Sequence, residues 1–301
     1  MKSASNKLLC SRPLLGTFVE IAAEGAAAAQ VEDGIEAAFA AVKRVHDRMS
    51  FHDAGSDVGR LNDARPGETV VVADWTYRVL EMAQDLQRRS DGCFNVAIAS
   101  ALQFIGLLPS TPRASPAMDP ATCTLVLLSD HRVRRCGSAG EIDLGGIAKG
   151  FAVDRAVDAL RAYGIAAGTV NAGGDLAAFG PNAQIVALRD PRNPRRSICR
   201  VPVNNAALAS SGLLFDPVEA IAAPYSAIID PITCQPVNAI CGATVRASCC
   251  WIADALTKVV MIAGTGSSEV LDYYGASALL VMANGEVQVT PSWQDACPIA
   301  A

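Results

Sequence analysis

Apolar and polar residues alternate over 16–23 (GTFVEIAA), and the spacing then lengthens, with Ile35, Ala38, Phe39, Val42, Val45 and Met49 recurring every three or four positions. A period near two predicts a strand and a period near 3.6 an amphipathic helix, so the chain opens as a strand followed by a helix over 35–49. A second helix is predicted over 75–89, with Asp74 as its N-cap and Gly92 just past its end. Residues 108–120 are rich in Pro, Ser and Thr, carry no periodicity and read as an exposed connection.

Beyond that connection the pattern gives strands at 124–128 and 141–144, a glycine turn, and a helix over 147–163 that Gly164 can end. Further strands are predicted at 169–171, 185–189 and 225–230. The stretch 247–263 is apolar at helical spacing except for Asp254 and Lys258, and 278–282 before Asn284-Gly285 reads as the first arm of a hairpin. Strands and helices that do not alternate regularly predict an α+β fold rather than a doubly wound sheet.

Composition narrows the function classes. With 301 residues and 51% hydrophobic content the chain can bury a large core, as one domain or two small ones. The net charge of -5 is spread along the chain without a basic patch, which argues against nucleic-acid partners and anionic lipid. Ten cysteines without a C-x-x-C pair read as small core residues and reduced thiols. Residues 1–15 lack the apolar run of a signal peptide, Leu8-Leu9-Cys10 has no such run before it to make a lipobox, and no segment has about 18 consecutive apolar residues. The expectation is a cytoplasmic protein without membrane insertion.

Four clusters carry candidate chemistry. In Asp143-Leu-Gly-Gly-Ile-Ala-Lys149-Gly150, the glycines before a helix expose backbone N–H groups and Lys149 adds a cation, which suits a phosphate; a tight turn with a solvated lysine accounts for the pattern equally well. Gly173-Gly174-Asp175 is a turn or a place where backbone passes a ligand, and Ser210-Ser211-Gly212 is a third small cluster. Asp254 lies in an apolar helical segment where a bare carboxylate is costly. It needs a hard cation such as Mg²⁺, a cap, or a salt bridge that Lys258, one helical turn on, can supply. No P-loop or G-x-G-x-x-G fingerprint is present, the three histidines His46, His52 and His131 do not cluster, and no G-x-S-x-G elbow occurs.

Taken in order, Leu15-Gly16-Thr17, Met49-Ser50-Phe51, 56–62 (SDVGRLN), Phe94-Asn95-Val96, 143–154 (DLGGIAKGFAVD), 171–175, 209–212, 228–231 (IIDP) and 253–258 resemble the ApbE family. Its members use Mg²⁺ to cleave FAD and transfer FMN to a Thr or Ser hydroxyl of a target flavoprotein, releasing AMP. The resemblance, over about 13–264, implies an ApbE-like, T-fold-related α+β fold of mixed sheets with packed helices. It implies one catalytic domain over 13–301, with two lobes meeting near 108–120, and residues 1–12 as an N-terminal extension. It also implies an FAD site of Met49, Asn62, Asp143, Lys149, Asp175, Ser211 and Ile229. Mg²⁺ would be held by the Gly146 carbonyl and Asp254, with Lys258 at a third metal position, and Asp254 and Lys149 would be catalytic. Three positions depart from the family pattern: Ala227 stands where many members have His, Cys234 where they have Gly, and Lys258 where they have a metal-binding Thr. The missing His removes a proton acceptor, for which Asp230 and Asp175 are the acidic substitutes. An FAD pyrophosphatase releasing FMN and AMP, and a non-catalytic FAD-binding protein, are the alternatives.

Overall fold

The alternation of residues 17–25 places Val19, Ile21 and Ala23 on one buried face of a strand in the computed structural model, which describes residues 6–110, 124–137, 140–212 and 228–296. That strand, β2 (Thr17–Gly25), pairs on one side with β1 (Asn6–Leu14). Residues 6–12 of the segment expected as an extension therefore belong to an edge strand of the main sheet. On its other side β2 pairs with β6 (Ala167–Ala172), and the sheet continues through β7 (Asp175–Phe179), β10 (Ala206–Gly212), β13 (Ile240–Ala247), β14 (Ser277–Met282) and β15 (Val287–Val289), every neighbouring pair antiparallel. Strands β6 and β7 are joined by Gly173 and Gly174 alone, with φ of 65° and 106°, a two-residue hairpin turn of the kind glycine permits.

Both faces of the sheet centre are covered, so its strands read as apolar runs rather than clean alternations. Ala207, Ala209, Ala278 and Leu280 belong to the main core with α1 (Ala28–Met49), α5 (Ala148–Ala162) and α6 (Cys250–Ala263). Ala206, Leu208, Leu279 and Val281 face a second core closed by the hairpin β8 (Gln184–Asp190) and β9 (Asn193–Val203) and by Trp293 of α8 (Pro291–Ala296). The predicted face of α1 is buried, and the helix starts seven residues before Ile35, at Ala28, where neither a capping side chain nor a polar break marks its beginning.

A smaller sheet of β3 (Thr69–Val71), β5 (Arg132–Arg135) and β4 (Leu125–Leu128) carries the residues on either side of the expected lobe boundary. Most of that boundary, 111–120, lies outside the described residues, as do 121–123. The helices α2 (Asp57–Asp63), α3 (Asp74–Arg89) and α4 (Ala99–Phe104), the short α7 (Ser268–Tyr273) and the pair β11 (Ile229–Asp230) and β12 (Gln235–Pro236) complete the fold. Among the described cysteines none is in a disulfide, as the reading of reduced thiols expects; Cys250 is buried in the main core, Cys10, Cys93, Cys199 and Cys241 are partly buried against the two cores, and Cys136 is exposed.

Two carboxylates, one fully buried and one partly buried, rather than the expected Asp74, govern helix starts. Asp74 is the first residue of α3 and lies 3.4 Å from His131. The N-terminus of α3 is held instead by Asp57, fully buried, whose Oδ2 accepts the Ala73 N–H (2.9 Å) and the Thr76 hydroxyl (2.6 Å) while Oδ1 pairs with Arg60. At the start of α6, Asp154 of α5 accepts the N–H groups of Cys250 and Trp251, each at 2.9 Å. Replacing Asp57 with Ala strands a buried hydroxyl and a helix N-terminus, and the expected loss is about 2–4 kcal/mol in urea denaturation; an unchanged midpoint would refute this account of α3.

Burial lifts the Asp154 pKa to about 6, its two N–H bonds opposing. The unfolded value lies near 4, so the native state keeps a proton that the unfolded chain releases. The stability this group contributes is therefore greatest at low pH and is lost as pH rises from ~4 to about 6. The stability of the wild type relative to Asp154→Asn should fall as pH rises through that window; a relative stability that rises with pH there would contradict the assignment.

Candidate functional site

The glycine turn before α5 is positioned by side chains, not by a strand. Residues 141–144, predicted as a strand, make no ladder. Asn62 clamps Ile142 by donating to its carbonyl (2.9 Å) and accepting its N–H (2.8 Å), and the Asp143 N–H donates to the Val96 carbonyl (2.8 Å). Arg135, also buried, donates to the carbonyls of Leu61, Asn62 and Gly140. Asp143 Oδ2 then accepts the Gly145 N–H at 3.0 Å. Burial raises the Asp143 carboxyl above its usual range, with the Gly145 N–H, His52 and Lys149 opposing.

One turn into α5, the helix meets α6 with almost no space between backbones. A Cβ on Gly150 would stand 2.4 Å from the Cys250 carbonyl oxygen, so only glycine fits. The close approach lets the Gly150 N–H reach Asp254 Oδ2 at 2.9 Å. Asp254 is fully buried, and its Oδ1 pairs with Lys258 Nζ and lies 3.7 Å from Lys149 Nζ. Lys149 Nζ is also 2.8 Å from Asp175 Oδ2. Two carboxylates and two ammonium groups thus form one cluster.

The protonation states follow from these contacts. Burial works to lower the Lys149 pKa, but Asp175 and Asp254 outweigh it and hold the lysine charged. Burial pushes the Asp254 carboxyl up, and the charges of Lys149 and Lys258 more than offset it, leaving it below its ordinary value. Asp175, with Lys149 as its close cation, is raised by burial and by the nearby charge of Asp254. A hydroxyl chain ties the cluster to the sheet: Thr257 donates to the Asp254 carbonyl (2.7 Å), so the 2.7 Å contact between Ser211 and Thr257 is a bond that Ser211 donates.

In front of the cluster lies a cavity of about 320 Å³, lined among others by Asp143, Gly146, Lys149, Ser211, Ile229 and Lys258. Sequence reasoning had named all six. Asp175 and Asp254 sit behind Lys149 in the wall. Met49 and Asn62 do not line this cavity: Met49 closes α1 inside the main core, and Asn62 lines a larger cleft of about 1430 Å³ with Phe51, His52, Arg60 and Glu141. The segment 141–143 borders both spaces. Thr257 belongs to the 253–258 cluster of the sequence, where nothing gives it a role of its own although it lies one turn from the carboxylate.

The sequence model of the ApbE family matches residues 15–281. The chain belongs to the ApbE family. It is 27% identical to the FAD:protein FMN transferase of Rhodobacter capsulatus over 92% of this chain, and spans 56% of that longer relative. It is also 27% identical to the FAD:protein FMN transferase of Vibrio cholerae, over 74% of this chain and 71% of the relative. The crystal structure of the ApbE protein of Thermotoga maritima superposes with a TM-score of 0.82 at 26% identity, covering 97% of this chain and 99% of that one. The α+β class read from the sequence is the class of that structure.

A magnesium ion demands oxygen ligands at about 2.1 Å in octahedral array. Here Asp254 Oδ1 is in contact with the Lys258 ammonium, Oδ2 accepts the Gly150 N–H, and the Asp254 main-chain carbonyl accepts from Lys258 Nζ at 3.0 Å. Among the described residues there is no group of three or more His, Cys, Asp or Glu that could hold a metal ion. These residues do not fit the expected Mg²⁺ site of Gly146, Asp254 and Lys258, because the Lys258 ammonium is held against both a carboxylate oxygen and the main-chain carbonyl of Asp254.

Of the other two departures from the ApbE pattern, Ala227 lies outside the described residues. Cys234 has φ of 55°, in the left-handed region that a glycine enters freely, and closes a turn in which Asp230 accepts the Ile232 N–H and the Thr233 hydroxyl, each at 2.9 Å. Asp230 is thereby committed to its own turn.

Replacing Lys149 with Met leaves Asp175 and Asp254 facing each other with one cation fewer. The expected cost is about 3–5 kcal/mol at neutral pH, shrinking at pH 5 as the carboxylates come to share a proton; equal losses at both pH values in chemical denaturation would refute the ion cluster.

Proposed function

We propose that this chain transfers the FMN portion of FAD to a Thr or Ser hydroxyl of an acceptor flavoprotein and releases AMP. The observation that carries the reading is the cavity in which Lys149, Lys258 and the Gly145-Gly146 turn converge, a cationic end suited to a diphosphate beside apolar walls that include Ile229, with the larger cleft across segment 141–143 giving room for an extended dinucleotide. The names of the Rhodobacter and Vibrio relatives support the same substrate and reaction.

In this reaction the acceptor oxygen forms a bond to the FMN-side phosphorus, the bond from that phosphorus to the bridging oxygen breaks, and AMP departs with that oxygen; the hydroxyl proton leaves to a base or to water. Catalysis of this kind is mainly positioning and charge neutralisation. Lys149, kept charged by two carboxylates, neutralises developing charge on the diphosphate, and Asp143 with its glycine turn shapes the floor of the cavity. A second reading, FAD binding without cleavage, draws on Ala227, which cannot accept a proton.

Incubating the protein with FAD, with and without a flavoprotein domain bearing an acceptor Thr, decides among these by chromatography and mass. AMP formed only with acceptor, together with an FMN-sized mass gain on it, is the expected result. AMP with free FMN would mean hydrolysis, and intact bound FAD would mean a carrier.

A further inference from the structure

We propose that the Lys258 ammonium is a built-in substitute for a divalent cation, so that this chain binds the diphosphate of its dinucleotide without a metal ion. This rests on the FAD reading above. Lys258 reaches back one helical turn to grip Asp254 by both a carboxylate oxygen and the main-chain carbonyl, which fixes its ammonium against the most buried anion of the site. Its stem passes the glycine turn: Cε lies 3.7 Å from where a Cβ of Gly146 would stand. Lys258 and Lys149 line the same cavity as Ser210, Ser211, Gly145 and Gly146.

The charge count of the cluster explains why a metal is superfluous there. Asp175 and Asp254 are matched by Lys149 and Lys258, so no uncompensated negative charge remains among these four groups to attract a divalent ion. An incoming ion at Asp254 would have to displace Lys258 from a carboxylate that has no solvent exposure, and would meet two ammonium groups in place of the anionic cage that hard cations require. A diphosphate, by contrast, finds two cations with their remaining N–H donors free to turn toward it. A tethered cation also cannot be removed by a chelator.

The test is titration calorimetry of FAD and, separately, of inorganic pyrophosphate into the purified protein, in excess EDTA and in excess Mg²⁺. The wild type should bind both probes with affinities equal within threefold in the two buffers. Lys258→Thr should lose tenfold or more in EDTA and regain affinity with Mg²⁺, while Lys258→Arg should stay metal-independent. Mn²⁺ titrated alone and followed by electron paramagnetic resonance should bind Lys258→Thr and not the wild type, a readout that needs neither FAD nor turnover.

A wild type whose affinity for FAD falls tenfold in EDTA, or that takes up Mn²⁺ at Asp254, overturns the inference and leaves the FAD reading standing. Pyrophosphate binding in EDTA that depends on Lys258, with no FAD binding in either buffer, overturns the FAD reading and keeps the cation substitution. Failure of both probes in both buffers overturns both.

Discussion

A carboxylate with no solvent exposure, Asp254, is the interaction on which the rest of the site depends. An unpaired charge in that position would cost several kcal/mol, so everything near it is arranged to answer it. The Gly150 N–H meets one oxygen, Lys258 the other, and Lys149 lies at the longer range of 3.7 Å. This arrangement requires α5 and α6 to touch backbone to backbone, which is why residue 150 has no side chain. The two helices hold each other reciprocally: α6 offers Asp254 to an N–H in the first turn of α5, and α5 offers Asp154 to the first N–H groups of α6. Function and helix packing thus share the same atoms.

The sheet beneath makes this contact rigid. Small residues such as Ala207, Ala209 and Ala278 belong to the core that the helices share with the sheet, while the layer of β8, β9 and Trp293 seals the opposite face. Ser211, on β10, reaches Thr257 and through it the carbonyl of Asp254, so the sheet sets the height of the cluster as well as its floor. The cavity opens where the glycine turn, β10 and the segment around Ile229 come together.

Much of this was legible in the residue pattern, for reasons that differ by element. Helix α1 shows its 3.6-residue period because only one face is buried, and the Asn284-Gly285 hairpin shows its turn chemistry locally. The site residues from Asp143 to Lys258 were visible because glycines and charges are conspicuous in apolar surroundings. What escaped depended on distant partners. The 141–144 segment looks like a strand, but Ile142 bonds the amide of Asn62, about 80 residues earlier, and Asp143 the Val96 carbonyl, and no local rule distinguishes that from a ladder. Asp74 looks like a cap, yet Asp57 does the work from another helix. Asn62 holds Ile142 with both ends of its amide while also lining the larger cleft, a structural role that no local pattern announces. Whether Asp254 answered to a metal or to Lys258 was open in the sequence, because spacing of four residues on a helix allows the pair without excluding an ion.

The order of the main sheet also bears on how the chain reaches its native state. Strand β2 finds its neighbour β6 only about 150 residues later, and pairings at such separation are slow to form because the loop must close before any ladder bond rewards it. During synthesis β1 and β2 therefore emerge as an isolated hairpin in which the β2 edge, later paired with β6, is still open, while α1 waits for α5 to cover it. That interval is the period in which the nascent chain is most exposed to pairing with a neighbour, and it ends when the glycine hairpin of β6 and β7 arrives, the same turn whose first glycine lines the cavity.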